Sequence, residues 1–180
     1  SRDGIDAALI RSDGVSQVET GPFLSVSYST AFRERLAAAV RTYADAGPEG
    51  PPPGAVAEVE AELTRLHAEA VRRLLEAHGL SPADVRVIGF HGHTLHHDPL
   101  RRRSVQIGDG ALLAELTGID VVNDLRSADI RAGGQGAPLA PLYHQARSAE
   151  LEKPLAVLNL GGVGNVTWLG PDGSVIAFDT

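Results

Sequence analysis

The sequence predicts an α/β fold in which helices pack on a mixed β-sheet. Three observations support this class: short runs of strand-type composition occur near both ends of the chain, two segments of the first half have helical periodicity, and strands and helices alternate after about residue 85. Strands followed by helices and then by alternating elements are typical of layered α/β proteins. The 180 residues are enough for one domain or two small lobes, and we detect no internal repeat.

The first half is predicted to contain strands and then two helices. An apolar run at residues 5–10 and a turn signal at 12–14 fit a hairpin, and residues 23–28 are predicted to add a third strand. Apolar residues then recur at helical spacing in two segments, one capped by Thr30 and one from about residue 55 to residue 78. The predicted buried faces of these helices consist of Phe32, Leu36, Ala39, Val40 and Tyr43 in the first and Val56, Val59, Leu63, Leu66, Ala70, Leu74 and Leu75 in the second.

The second half is predicted to alternate between strands and short helices. One helix is capped by Asp109 and ends at Gly118, and a second is opened by Pro138 and runs to about Ala149. The strands are predicted at residues 85–90, 94–98, 104–107, 119–122, 155–160, 164–169 and 174–178. The second and third of these are predicted to form a hairpin over residues 94–107 that turns at Asp98-Pro99.

Composition excludes several classes of protein. The chain has no cysteine, which excludes a disulfide framework, a thiolate zinc site and a cysteine nucleophile. Its net charge is −7, and an acidic surface does not attract nucleic acid or anionic lipid. We find no apolar run of about 18 residues, no signal peptide and no Gly-x-x-x-x-Gly-Lys-Ser/Thr motif. We therefore expect a cytoplasmic protein without nucleic-acid or membrane partners that is not a P-loop enzyme.

Four of the seven histidines fall within residues 91–97, directly after a predicted buried strand. On a strand, His91 and His93 would point to one face, a geometry that can chelate a metal ion. The run is similar to the His-x-His-x-Asp-His sequence of metallo-β-lactamase-type hydrolases, with Leu95 at the aspartate position. A metal-dependent hydrolase built on His91–His97 is therefore one hypothesis. The alternatives are histidines that bind carbonyls or water at a strand end, or that contact a sugar.

Two glycine-rich stretches are candidates for anion binding through backbone N–H groups. Residues 132–138 carry three glycines before a predicted helix, where the helix end adds partial positive charge. Residues 123–129, which carry two aspartates and an arginine, follow a predicted strand, and open α/β sheets bind ligands at the carboxyl ends of strands. Residues 158–167 form a glycine-tipped hairpin that could wrap a phosphate. Glycine turns without a ligand are common, so each pattern alone also fits an ordinary turn. The charged residues of 123–129 also fit a salt bridge in a solvated loop.

Five motifs occur in order along the chain. They are His-Gly-His-Thr at 91–94, Gln-Ile-Gly-Asp at 106–109, Ala-Gly-Gly-Gln-Gly-Ala-Pro-Leu at 132–139, Asn-Leu-Gly-Gly at 159–162 with Asn165, and Phe-Asp-Thr at 178–180. Together these motifs resemble the anhydro-N-acetylmuramic acid kinases of bacterial cell-wall recycling. The start of the chain, residues 1–6, is similar to that family's Gly-Thr-Ser-Leu-Asp-Gly-Val-Asp phosphate loop without its first two residues.

The resemblance implies the mixed-sheet lobe of an actin/hexokinase, ribonuclease H-like kinase. It implies an ATP- and Mg²⁺-dependent reaction that adds water to 1,6-anhydro-N-acetylmuramic acid and yields N-acetylmuramic acid 6-phosphate. Asp179 would be the general base, and no residue is implied as a ligand of a protein-bound metal. The residues that would hold phosphates are Ser1, Arg2, Asp3, Gly4, Gly161, Gly162 and Asn165. The residues that would contact the sugar are His91, Gly92, His93, Thr94, Asp124, Arg126, Asp129, Gly134 and Gln135.

The resemblance also bears on the extent of the chain. The family is about twice this long, so we expect residues 1–180 to be an N-terminal lobe that lacks most of a second lobe and is inactive alone. The resemblance is also compatible with a homodimer. The family usually has Gln at the position of His93, and two of its arginines are replaced at Ser127 and Ala128. These differences concern the exact sugar more than the fold.

Overall fold

The computed structural model describes residues 3–47, 54–160 and 164–179. Within these residues the chain forms nine strands and five α-helices. The strands are β1 Gly4–Ser12, β2 Val18–Ser27, β3 Ile88–Gly89, β4 His93–Asp98, β5 Arg103–Ile107, β6 Val121–Val122, β7 Leu155–Asn159, β8 Asn165–Leu169 and β9 Val175–Asp179. The helices are α1 Thr30–Ala46, α2 Gly54–Ala77, α3 Gly110–Thr117, α4 Ser127–Arg131 and α5 Ala140–Arg147.

The predicted α/β class is confirmed, but the described strands form four small sheets and not one mixed sheet. β1 pairs with β2, β3 runs parallel to β6, β4 is antiparallel to β5, and β7, β8 and β9 form an antiparallel meander. Most of these pairs join consecutive strands, because a short turn fixes their register locally. Among the described residues, no helix is both long enough and apolar enough to cross a membrane.

The described chain divides into two compact units. One contains residues 3–7 and 23–136, and the other contains residues 8–22 and 137–179. The core of the first unit is formed by α1 and α2 against the β4–β5 hairpin. Its buried residues are Phe32, Leu36, Ala39, Tyr43, Val56, Val59, Leu63, Leu95 and Ile107. The helical faces predicted from periodicity are therefore largely confirmed, and Thr64 is buried with them.

Helix caps were predicted more accurately for α3 than for α1. The Asp109 side chain accepts the Leu112 N–H and caps α3, and Gly118 ends that helix with a left-handed φ of 70°. The cap of α1 is Ser29 and not Thr30, because the Ser29 Oγ accepts the N–H of Phe32. Both residues have a hydroxyl that can cap, so the sequence alone does not distinguish them.

Several predicted element bounds are wrong. The segment predicted as a third strand at 23–28 is the second half of β2. β2 continues through Pro22, because each strand of a two-stranded sheet has an open edge at which a proline removes no hydrogen bond of the ladder. The strands predicted at 85–90 and 119–122 are reduced to the two-residue strands β3 and β6, which among the strands described pair only with each other. The last helix starts at Ala140, with Pro141 in its first turn, so Pro138 precedes it. Either proline satisfies the helix-start rule, so the rule cannot select one.

Candidate functional site

The carboxyl ends of β3 and β6 bring two of the predicted sugar-binding segments together. The strands are parallel, with Ile88 opposite Val121, and the Phe90 N–H donates to the Val122 carbonyl at 2.8 Å. The residues that follow each strand, 91–94 and 123–129, therefore leave from the same edge. This is the position at which parallel strands of α/β proteins present ligand-binding groups.

A cleft of about 220 Å³ lies at this edge. One wall is formed by β5, and the other is formed by the segment that follows β6. Its polar lining includes His91, Ser104, Gln106, Asn123, Asp124 and Ser127. Hydroxyl, amide, imidazole and carboxylate groups can each bond sugar hydroxyls, which both donate and accept. The lining groups of the cleft can therefore hydrogen-bond a ligand that carries hydroxyls.

The floor of the cleft is held by α2. The Gly108 N–H donates to the Glu60 Oε1 at 2.9 Å, and the Asp109 N–H donates to the Thr64 Oγ1 at 3.0 Å. The His67 ring lies 4.9 Å from the ring of Phe90, a cleft residue. Burial lowers the pKa of His67 and outweighs the opposing effect of its contact with the Leu63 carbonyl. A stripe of α2 thus fixes the turn that begins α3 and the aromatic residue beside it.

Arg126 joins the segment after β6 to the segment after β3. Its Nη2 and Nε lie 2.8 and 3.2 Å from the Nε2 of His91. Because a guanidinium only donates, His91 Nε2 must be the acceptor, and its Nδ1 then carries the proton and donates to the Gly92 carbonyl at 3.0 Å. Burial lowers the pKa of Arg126. The predicted sugar-binding residues His91 and Arg126 are therefore in direct contact.

The triple-glycine loop contacts Asp129. The Asp129 Oδ2 accepts the Gly136 N–H at 2.7 Å, and the Asp129 carbonyl accepts the Gly134 N–H at 2.8 Å. The amides of Gly134 and Gly136 are therefore bonded to Asp129 of α4, and the anion site predicted for this loop stays a prediction. Gln135 is exposed between these two glycines.

Asp124 is exposed at the mouth of the cleft and has a left-handed φ of 50°. Aspartate tolerates this conformation better than most residues because its side chain bonds locally. Here the Asp124 Oδ1 accepts the Ser127 hydroxyl at 2.5 Å and the Ser127 N–H at 3.3 Å. The Oδ1 therefore fixes the start of α4, while the carboxylate as a whole faces solvent.

The β4–β5 hairpin does not form the chelating face that was predicted for its histidines. β4 begins at His93, so His91 is outside the strand, and the register shifts between Thr94 and His96. His97 Nδ1 lies 3.0 Å from the Ser104 Oγ. Burial, followed by the nearby charges of Arg126 and His96, lowers the pKa of His97. Among the residues that the structure describes, no three His, Asp or Glu side chains are placed to hold a metal ion, so the hydrolase alternative has no support.

The other compact unit contains the predicted base and the glycine hairpin. In the β7–β8–β9 sheet, Asn159 is opposite Asn165, and Asn165 is opposite Asp179. Three residues of the predicted phosphate and catalytic motifs therefore form one row of backbone positions across the sheet. Gly161 and Gly162 lie outside the described residues.

The opening loop is described from Asp3 onward. Asp3 is exposed, and its carbonyl accepts the Tyr28 N–H at 2.9 Å. Gly4 begins β1 where a Cβ would lie 2.3 Å from the Val26 carbonyl oxygen, so no side chain fits there. Ser1 and Arg2, also predicted to hold phosphate, lie outside the described residues.

Sequence reasoning missed several lining residues of the cleft. Ser104, Asn123 and Ser127 were not singled out as ligand contacts, and Gln106 was noted only as part of a motif. Two signals point to them. Ser104 and Gln106 alternate on β5 and therefore share a face, and Asn123 is the first residue after β6.

Comparison with known proteins identifies the family. All of residues 1–180 match the family model described as anhydro-N-acetylmuramic acid kinase. Curated proteins with that name match the whole chain at 53% identity in Paramagnetospirillum magneticum, 56% in Rhodospirillum rubrum and 46% in Brucella abortus. The aligned parts are 48%, 46% and 49% of those proteins, so the chain spans about half the length of the curated relatives it matches. On this evidence the chain belongs to the anhydro-N-acetylmuramic acid kinase family.

Proposed function

We propose that the protein containing this chain converts 1,6-anhydro-N-acetylmuramic acid, ATP and water into N-acetylmuramic acid 6-phosphate and ADP. The observation that carries this proposal is the match of all 180 residues to the family, together with 46–56% identity to relatives that bear the kinase name. We place the reaction in a two-lobed actin/hexokinase-type enzyme that recycles cell-wall sugar in the cytoplasm.

The sugar is proposed to bind in the cleft beside β3 and β6. Asp124 supplies an exposed carboxylate that accepts sugar hydroxyls, and Asn123 supplies an amide that both donates and accepts. The sugar contacts proposed for residues 91–94 come from the first two residues of β4 and the two residues before it. Asp129, Gly134 and Gln135, which the resemblance also assigns to the sugar site, belong to the same compact unit as the cleft.

Asp179 is proposed as the general base. Its carboxylate takes a proton from water as the water oxygen bonds to the anomeric carbon and the bond from that carbon to O6 breaks. O6 then becomes the acceptor of the phosphoryl group. A carboxylate at a strand end that follows a glycine turn is suited to this role, because it needs only to reach its water within hydrogen-bond distance. The position of Asp179 beside Asn165 in the sheet supports this assignment.

Phosphate binding is assigned to residues 1–4, 161–162 and Asn165. The described members fit the group in chemistry: Asp3 has an exposed carboxylate, the kind of oxygen ligand that Mg²⁺ takes, and Asn165 has a carboxamide at the first position of β8. ATP supplies the phosphoryl group, and Mg²⁺ neutralises the charge that develops during transfer.

The test uses the complete protein with Mg-ATP and 1,6-anhydro-N-acetylmuramic acid, and mass spectrometry detects the phosphorylated product. Asp179→Asn should lower kcat by about 10²–10⁴-fold, the usual contribution of a general base, with little change in sugar affinity by calorimetry. Asp172→Asn, in the exposed turn before β9, is the matched control and should leave kcat unchanged. Absence of product from the unaltered protein would refute the function. Equal losses of binding and turnover in Asp179→Asn would refute only its role as base.

A further inference from the structure

We infer that Arg126 and Asp129 are positioning residues. Asp129 bonds the backbone N–H of Gly136, and Arg126 bonds the Gly136 carbonyl and the imidazole of His91. This inference rests on the proposed function, because it assigns how two of the predicted sugar-binding residues act in that site. Their role is to fix the triple-glycine loop and the imidazole relative to the cleft, and direct bonding to the sugar falls to the residues that line it.

Gly136 is bonded at both of its backbone polar groups. Its N–H donates to the Asp129 Oδ2 at 2.7 Å, and its carbonyl accepts from the Arg126 Nη1 at 3.2 Å. Gly136 is buried, so each of these groups would be costly to leave without a partner. The two side chains that satisfy them are three residues apart. Arg126 is the N-cap of α4, and Asp129 lies within that helix.

The loop is shaped around the Asp129 carboxylate. A Cβ on Gly134 would lie 2.2 Å from the Asp129 Oδ2. A Cβ on Gly136 would lie 2.8 Å from Ile130, and Gly136 also has a φ of 66°. These glycines are therefore explained by close approach to α4, and no external anion is needed to account for them.

Arg126 extends the same connection to the segment after β3. The guanidinium uses Nη1 for the Gly136 carbonyl and directs Nη2 and Nε to His91. His91 and Gly136 are far apart in the sequence, and this one side chain fixes both. A planar guanidinium with five donors can bond two acceptors in different directions, whereas the single ammonium of lysine cannot reproduce that fork.

The first test measures amide hydrogen exchange of Gly136 in the complete protein without substrate. Asp129→Ala should speed this exchange by about tenfold or more, because one hydrogen bond to a charged group is lost. Asp129→Asn keeps an acceptor oxygen and should remain close to the unaltered protein. Asp120→Ala, an exposed aspartate that precedes β6, is the control. Unchanged exchange in Asp129→Ala would overturn the inference, whatever the protein's activity.

The second test separates positioning from direct sugar contact. Asp129→Ala should raise the KM for the anhydro sugar by about tenfold while the KM for ATP stays constant, and Asp129→Asn should restore most of that loss. If the carboxylate itself bonds the sugar through its charge, the Asn and Ala variants will lose affinity equally, and the inference is wrong. Arg126→Lys should behave like Arg126→Ala, with Arg131→Ala on the same helix as the control. A KM for the sugar close to that of the unaltered protein in Arg126→Lys would contradict the inference that one guanidinium bonds both His91 and Gly136.

Discussion

Gly92→Ala should destabilise the first compact unit by about 2–5 kcal/mol. Gly92 has a φ of 68°, which costs an L-residue about 1–2 kcal/mol. A Cβ at this position would also lie 2.2 Å from the carbonyl oxygen of Ile107. Ile107 is buried and paired with His93 in the β4–β5 hairpin, so its backbone cannot move away without breaking the ladder. Such overpacking costs about 1–3 kcal/mol more.

The matched control is Gly89→Ala in β3, where a Cβ would meet nothing within 4 Å and φ is not left-handed. Its change in free energy should stay within about 0.5 kcal/mol. The measurement is hydrogen exchange of β4 and β5 peptides of the complete protein in increasing urea, which gives the opening free energy of this region. A loss below about 1 kcal/mol for Gly92→Ala, or equal losses for both variants, would refute the argument from close approach.

Two further predictions concern hydrogen bonds made by the side chains of Thr64 and Asp13. Thr64→Val should cost about 1–3 kcal/mol in the same exchange measurement, because it removes the buried Oγ1 that accepts the Asp109 N–H, and Thr64→Ser should recover most of the loss. Backbone N–H groups, that of Gln17 first, lower the pKa of Asp13 to about 2, below its unfolded value. Its contribution to stability is therefore present above about pH 4 and is lost as pH falls toward 2. The amide shifts of residues 15–17 should follow this transition, and Asp13→Asn should abolish it; the same transition in the variant would contradict the assignment.

Local sequence rules predicted the parts of the fold that local interactions determine. The hairpin over residues 94–107 is correct because Asp98 and the following proline form its turn, and the Asp98 carboxylate accepts the Arg101 N–H. The predicted buried faces of α1 and α2 are correct because apolar residues that recur every 3.6 positions lie on one side of a helix, and that side packs on the core. Neither prediction needed knowledge of a distant partner.

Strand length could not be predicted in the same way. Residues 85–90 and 119–122 both have buried-strand composition, yet only two residues of each form a ladder. Phe90 and Ile119 are nevertheless buried, at 4% and 3% exposed. Apolar composition therefore predicted burial correctly, but a ladder also requires a neighbour of matching length, which composition does not report.

The same limit applies to the hydrogen bonds of the glycine loop, residues 132–138. Glycines before a predicted helix leave amides without an evident acceptor, so the sequence suggests an external anion. The acceptor for Gly136 is a side chain seven residues earlier, and the partner of Arg126 is His91, 35 residues away. Such pairs form only after α4 and β3 have been positioned, and residue spacing contains no record of them. Arg126 connects His91 to the Gly136 carbonyl, and Asp129 accepts the amides of Gly134 and Gly136. Residue types and their spacing indicated that these segments carry polar and glycine residues, but not which of their groups bond to one another.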